Sequence, residues 1–515
     1  MRKTTSKRLT CLVLSLLMFA SMLPAAVLAA DEVTETEAPQ KTTLQEISET
    51  LNSYSYADYR EEYADAARGT GTVEVKAVDY LASETTAEVS VVSDYQGKSG
   101  KSLMIDDDGK VTWEVNIPST GFYAIKLDYC SVTEKTNSIE RSLYINGVLP
   151  FAEVRDLVMK KIWVNTYTDG RFEVDSNGNE LRPVSNVQHT WQEYTFIDPN
   201  SYFADPFEFY FEKGVNTISL GAVREDVVIQ TITFFPYEDL PTYAEYVSGK
   251  SEAAAAEKIH IAAETPSRTS DFTVYPIYDR KSAISEPQDS SKIMLNTIGS
   301  EKWQTAGQWV EYDFDVQTAG LYEIVFRFRQ NELAGMYTSR KVYIDGKIPF
   351  EESNYLKFNY NANWQVESAN NGADTFQYYL EPGKHSIRIE VTLGEMGNVV
   401  REVSAIMTSI NTDYLSLLKL TGASPDSYRD YGFGRVLPEV VTDLVVQSIA
   451  LQDVMNYIEN MANVKSSNSA TLEQIARLLR KMGTDEDEIA KNMGSLKPKI
   501  GTLGSWVNNV QTQPL

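Results

Sequence analysis

The octapeptide Tyr144-Ile145-Asn146-Gly147-Val148-Leu149-Pro150-Phe151 returns 199 residues later as Tyr343-Ile344-Asp345-Gly346-Lys347-Ile348-Pro349-Phe350. Asn146-Gly147 and Asp345-Gly346 are hairpin-turn dipeptides, in which Gly accepts the positive φ. The match extends upstream at the same offset, from Thr120-Gly121-Phe122-Tyr123 to Ala319-Gly320-Leu321-Tyr322. Downstream, Tyr210-Phe211-Glu212-Lys213-Gly214 matches Tyr379-Leu380-Glu381-Pro382-Gly383 at an offset of 169. The first copy therefore carries about thirty extra residues, placed within 165–190. Self-similarity on this scale means one folding unit used twice. A Tyr-Ala-acidic-Tyr segment precedes each copy, Tyr56 to Tyr59 and Tyr243 to Tyr246.

Each copy reads as strands. Val111, Trp113, Val115 and Ile117 alternate with polar residues, and so do Val310, Tyr312, Phe314 and Val316. Period two buries one face and wets the other. Strands recurring every ten or so residues, joined by turns, indicate antiparallel sandwiches. Two sandwiches are assigned, to 71–240 and 258–412, with 227–235 and 400–407 as their last strands. Segment 241–257 is a linker, its Ala253 to Ala256 run a linker or short helix, and 30–70 is an N-terminal helical segment.

Beyond residue 411 the period changes. Val441, Leu444, Val445, Ile449, Val454, Met455, Ile458 and Met461 fall mostly three and four apart, which predicts a helix over 438–463. Leu472, Ile475, Ala476, Leu479 and Met482 repeat the pattern behind a Thr471/Gln474 capping pair, and Gly483 ends that helix. Acids from Asp485 onward start another, and a last helix falls within 499–510. The fold class is thus mainly β, two antiparallel jelly-roll sandwiches followed by a small helical bundle at 413–515.

The chain has 515 residues, room for three or four domains. A net charge of −25 repels nucleic acid and anionic lipid, so neither is an expected partner. Three histidines and two cysteines argue against zinc, iron–sulfur and histidine-based catalysis. Residues 1–29 read as an export signal: Arg2, Lys3, Lys7 and Arg8, then an apolar run to Leu28 and a cut after Ala29 or Ala30. No transmembrane span is expected after cleavage, and the place of action is extracellular. Cys130 is then the one remaining cysteine, and reads as a small core residue. No Gly-x-Ser-x-Gly elbow, phosphate-binding loop or His-Glu-x-x-His occurs, and the protein is not expected to be an enzyme.

The second copy contains Gly307-Gln308-Trp309-Val310-Glu311-Tyr312, Ala319-Gly320-Leu321-Tyr322 and an opening Ala263-Glu264 pair. These resemble the jelly-roll carbohydrate-binding modules of families six and thirty-five. Together with the tyrosine-rich helix and a bundle carrying Leu478-Leu479-Arg480-Lys481-Met482-Gly483-Thr484-Asp485-Glu486, the order is similar to the N-terminal region of large extracellular solute-binding proteins of sugar ABC transporters in Gram-positive bacteria. In that family a two-lobed solute-binding domain follows the bundle, and it is missing from these residues. The resemblance implies an oligo- or polysaccharide ligand, and a permease partner reached through that missing lobe. No cofactor is required; the resemblance admits a structural Ca²⁺ with Glu264 as a ligand, although neither last strand offers a clear matching Asp.

Sugar sites need aromatic faces against pyranose C–H faces, with amides and carboxylates for the hydroxyls. Trp163, Tyr167, Trp191 and Tyr202 lie in polar, loop-like stretches of the first copy, and Trp303, Tyr337, Tyr355, Tyr360 and Trp364 in the second. The candidate carbohydrate contacts are Trp163, Tyr167, Trp191, Trp303, Tyr337, Tyr355, Tyr360 and Trp364, with Asn359, Asn361 and Asn363 beside Trp364. Trp163 and Trp364 fall at roughly equivalent places, which favours packing for at least one of them. Trp113 and Trp309 lie on strands and read as packing residues. Asp175 to Glu180 and Asp106 to Gly109 read as turns, because the first lacks the Gly and terminal acid spacing of a calcium loop. The alternatives to sugar binding are a structural spacer or docking region, and an accessory region of a polysaccharide hydrolase.

Overall fold

A computed structural model describes residues 54–515 apart from 169, 253–256, 283–284 and 463–464. The export signal, most of the N-terminal segment and the Ala253–Ala256 run lie outside the described residues.

The first sandwich is built from β1 (Val73–Lys76), β2 (Val89–Ser93), β3 (Lys101–Ile105), β4 (Lys110–Ile117), β5 (Gly121–Ser131), β6 (Ile139–Ile145) and β7 (Leu157–Met159). It continues with β8 (Ile162–Asn165), β9 (Ser185–Gln188), β10 (Gln192–Thr195), β11 (Glu208–Phe211), β12 (Gly214–Arg224) and β13 (Val227–Phe235). One sheet runs β10-β5-β13-β3-β2, with β1 also on β13 and β11 also on β5; the other runs β4-β12-β6-β7. All these pairs are antiparallel. The alternating residues of β4 face inward as their period demands, with Trp113 fully buried and its Nε1 donating to Ala77 O at 2.8 Å. Cys130 is buried in β5.

The second unit holds β14 (Arg268–Thr269), β15 (Pro276–Ile277), β16 (Thr297–Ile298), β17 (Trp309–Val316), β18 (Gly320–Glu323) and β19 (Val325–Phe328). Then follow β20 (Tyr337–Ile344), β21 (Leu356–Asn359), β22 (Gln365–Ser368), β23 (Gln377–Leu380) and β24 (Gly383–Thr392). The deciding octapeptides form matching turns. Asn146 and Gly147 have φ of 49° and 80°, Asp345 and Gly346 of 51° and 75°, the left-handed pair that suits a tight hairpin.

Both Tyr-Ala-acidic-Tyr segments are short helices, α1 (Tyr56–Glu62) and α2 (Tyr243–Val247). Each opens with a capping box, Ser55/Asp58 and Thr242/Glu245. The tyrosine hydroxyls accept backbone N–H groups of an edge strand: Tyr56 from Glu208 and Tyr59 from Tyr210, Tyr243 from Gln377 and Tyr246 from Tyr379. Their rings pack on Phe151 and Phe350 of the repeated octapeptides. The duplication therefore includes the helix that seals each sandwich.

The two sandwiches share a sheet. The extra segment of the first copy forms the hairpin β8–β9, which joins the order β21-β20-β24-β17-β14-β8-β9 through Thr269↔Trp163. Trp309 lies 3% exposed, under the Arg388 guanidinium at 3.9 Å.

The tail is helical: α3 (Met396–Thr421), α4 (Phe433–Val436), α5 (Pro438–Ala462), α6 (Ser467–Thr484) and α7 (Asp487–Gln511). Three expectations change here. The strand expected over 400–407 is part of α3, because Val399, Val403, Ile406, Ile410 and Leu417 recur three, four and seven apart and bury one helical face. The cap of α6 is Ser466 with Ser469, one turn ahead of Thr471. The final helix is a single α7 that carries Pro498 inside it. Among the described residues, no helix is long and apolar enough to cross a membrane.

Candidate functional site

Strand pairing identifies which aromatic residues correspond. In the first sandwich Gln192 of β10 pairs with Tyr129 of β5. In the second, Gln365 of β22 pairs with Phe328 of β19, and 328 is 199 beyond 129. Trp191 and Trp364, each one residue before its strand, are therefore the same position of the repeat. Trp163 is not the counterpart of Trp364, as the sequence suggested.

At Trp364 the indole Nε1 donates to Asp279 Oδ2 at 2.8 Å. Arg329 stands 5.3 Å from the Trp364 ring centroid and pairs with Asp279 at 3.4 Å. Burial works against the Asp279 charge, but hydrogen bonds from the Lys281 backbone and Trp364, the Arg329 charge and Ser285 outweigh it, so its carboxyl lies below the ordinary value. The result is a half-exposed indole whose edge is tied to a charged carboxylate. Tyr360 is exposed nearby in sequence, on the loop of Asn361 and Asn363 that follows Asn359, the last residue of β21. Asn361 Oδ1 is occupied by the Asn363 N–H at 2.9 Å.

At Trp191 the pattern recurs with different residues. Nε1 donates to Tyr95 O at 2.8 Å, and the Tyr95 ring meets the indole edge-on at 6.4 Å. Lys98 Nζ stands 4.8 Å from the Trp191 ring and is ion-paired to Asp128. Each platform thus combines a tethered half-exposed indole, a cation against its ring and a carboxylate holding the cation. Sequence reading missed Asp279, Arg329, Tyr95, Lys98 and Asp128. The repeated Trp-Gln pair, Trp191-Gln192 and Trp364-Gln365, would have equated the two tryptophans, but it carries no trace of these distant partners.

Three expected sugar contacts are corrected by burial. Trp163 is 5% exposed, ladder-paired to Thr269 and packed on Phe272 at 5.5 Å, because its strand is the splice between the sandwiches. Trp303 is also 5% exposed, with Nε1 on Gln308 O and Arg340 over its ring at 4.4 Å. Tyr337 is 4% exposed and belongs to the helical core, its hydroxyl 3.7 Å from Met461 Sδ. A loop-like, polar neighbourhood in the sequence became a domain contact for Trp163 and Tyr337, and part of its own sandwich's core for Trp303. Tyr167 is half-buried against Phe172, and Tyr355 is half-buried beside Gly394.

Glu264 is half-buried. Burial raises its carboxyl and Glu180 adds to the rise, while a backbone hydrogen bond and His260 pull the other way. Among the described residues it joins no group of three convergent ligands. Three acids that do converge are Asp106, Asp107 and Asp226, with ligand atoms within 4.8 Å of one another at neighbouring turns of the first sandwich. Lys135 lies 3.8 Å from Asp107.

Residues 398–508 match the family model of the bacterial solute-binding protein, 4-helix bundle domain. No curated protein matches the chain. Among solved structures, a Podospora anserina β-(1,4)-mannanase with a family 35 module is similar at 14% identity and a TM-score of 0.22, over 33% of this chain and 29% of its own. A family 35 carbohydrate-binding module from Clostridium thermocellum is similar at 18% identity and a TM-score of 0.20, over 33% of this chain and all of its own. The C-terminal family 6 module of a Zobellia galactanivorans laminarinase is similar at 13% and 0.19, over 32% and 99%. The chain thus spans less than a third of the mannanase. At these identities and TM-scores, the functional reading stands on this chain's own residues.

Proposed function

We propose that the protein binds oligo- or polysaccharide outside the cell without catalysis, through the platforms at Trp364 and Trp191. The observation that carries this reading is the recurrence of the same tethered, half-exposed indole at the same register position of both sandwiches. A packing tryptophan buries its ring. These two bury only part of it, and their hydrogen bonds lock the ring in place. Such a ring gives a sugar an apolar face at low entropic cost. Arg329 and Lys98 supply donors beside it for hydroxyl groups, held in place by Asp279 and Asp128. The match of the bundle to a solute-binding protein family supports a place in a sugar-uptake system of a Gram-positive cell, with an ABC permease as the distant partner.

The test is calorimetric titration of the whole chain with soluble mannans, xylans and β-glucans. Trp364→Ala and Trp191→Ala are each expected to weaken binding by about tenfold, ~1.4 kcal/mol, while far-UV dichroism stays unchanged. Full affinity in the double variant would remove both platforms from the reading. Silence across all glycans would leave the spacer reading, which the sheet shared between the sandwiches favours.

A further inference from the structure

The two fully buried arginines Arg141 and Arg340 are 199 residues apart and mark one position of the repeat. Arg141 Nη1 donates to Arg224 O at 2.9 Å and Nη2 to Glu225 O at 2.7 Å, so it holds the turn from β12 into β13. Arg340 Nη2 donates instead to Gln513 O at 2.8 Å, although the whole bundle separates Gln513 from β24. The neighbouring ladder agrees. Val227 of β13 pairs with Ile105 of β3. Residue 304 lies 199 beyond 105, and Gln513 N donates to Gln304 O at 2.8 Å. Ser300 N then donates to Leu515 O at 2.7 Å, and Leu515 packs on the core of the second sandwich. Gln513 is fully buried, and its Oε1 accepts the Ser339 N–H at 2.9 Å. Gln513 thus lies where Val227 lies in the first sandwich, and Leu515 runs on in the same direction, meeting Ser300 two residues beyond the position that matches Ile229.

The rest of that strand has no counterpart among the described residues. β5 is paired on both edges, by β10 and β11 on one side and β13 on the other. β18 and β19 are paired as strands on one edge only, by β23 and β22, with an isolated bridge at Leu321. The apolar residues beside the gap show the loss. Ile125 and Leu127 of β5 are fully buried, and so is Val115 of β4, whereas Ile324, Phe326 and Phe314 are half-exposed. The strands that lean on β13 fail too: the residues matching β1 and β3 form no strand, and Ser300–Lys302 is a 3₁₀ turn.

We infer that the bundle is an insertion between the last two strands of the second sandwich, and that the open edge of β18 and β19 receives an extended, alternately apolar β-strand running on from Leu515. The tail residues have already set its point of entry and its direction. A continuing segment is favoured over a free peptide, because a tethered strand meets its slot at high effective concentration. An exposed edge with an apolar floor is the standing template for this kind of addition.

The test appends the first sandwich's own strand residues, the sequence of Gln230 to Phe235, after Leu515. A Gly/Ser extension of equal length serves as the control. The appended strand is expected to raise the thermal midpoint and to slow hydrogen exchange of the open-edge amides of β19 at least tenfold, with no effect from the control. No difference between the two extensions would overturn the inference. So would β19 amides already as protected as those of β5 in the unextended chain. Equal protection by the same six residues added as a free peptide would overturn the tethered occupant in favour of a partner's strand. Deleting Gln513 to Leu515 from the extended chain should abolish the protection, even where the bundle remains folded by dichroism.

Discussion

Asp413 and Asp443 meet between α3 and α5, and among the described residues neither forms an ion pair. Asp413 is 7% exposed, and its Oδ2 has no hydrogen-bond partner. Asp443 is already engaged by Ser409 and Gln447. Burial, then the hydrogen bond and charge of Asp443, push the Asp413 carboxyl up to about 8. A carboxyl raised in the folded state favours folding while protonated. Its contribution is complete below the unfolded value near 4 and is lost as pH climbs through the folded value near 8. Asp413→Asn is therefore expected to stabilise the chain at pH 7 to 9, on the order of 2 kcal/mol. Its thermal midpoint should stay flat where that of the parent falls between pH 5 and 9. Parallel profiles would show that the pair carries no shared proton. The sequence carries half of this chemistry: Asp413 interrupts the buried stripe of α3 between Ile410 and Leu417, whereas its meeting with Asp443 of another helix is set by packing. Trp191 and Trp364 were legible as aromatic candidates, but their tethers were not: Asp279 lies 85 residues from Trp364, and Tyr95 lies 96 from Trp191.

Elements divide between those set by local pattern and those set by neighbours. The hairpin turns and the tyrosine helices follow from short-range chemistry, positive φ at Asn-Gly and Asp-Gly and reciprocal caps at Ser55 and Thr242. Gly483 shows the other kind. Its sequence context marks a helix end, and α6 does end one residue later. Its larger role is closeness: a Cβ there would stand 2.6 Å from Val445 Cγ2 and 3.0 Å from Val441 O on α5. Gly483→Ala should gain about 1 kcal/mol of helix propensity and still destabilise the bundle by about 1–3 kcal/mol through overpacking, read from chemical denaturation. A stabilised variant would mean that α5 and α6 can separate without penalty. The hairpin β8–β9 belongs with Gly483. Its location was predictable as extra sequence between repeats, whereas its use as the edge of the other sandwich's sheet depends on Thr269 offering a free ladder position.

Across the whole molecule, the boundaries suggested by the repeat do not mark independent bodies. The second sandwich borrows β8 and β9 from the first and Gln513 from the end of the bundle. A fragment of residues 258–412 leaves Arg340 without its Gln513 acceptor and β14 with an open edge. Expressed alone, it is expected to lack a cooperative thermal transition, whereas the full chain has one; a cooperative transition in the fragment would show that the borrowed pieces are dispensable. The sequence by itself determined the duplication, the β character of each copy, the turn into which each octapeptide folds and the helical nature of the tail, because periodicity and φ preference act within a few residues. The helix over 400–407 was also written in the local period of Val399, Val403, Ile406 and Ile410; only the tertiary structure decided which tryptophans are buried and that the chain returns after the bundle to the second sandwich. Those outcomes depend on which surfaces meet in space, often across scores of residues, where one ladder partner or one shared core outweighs any local pattern.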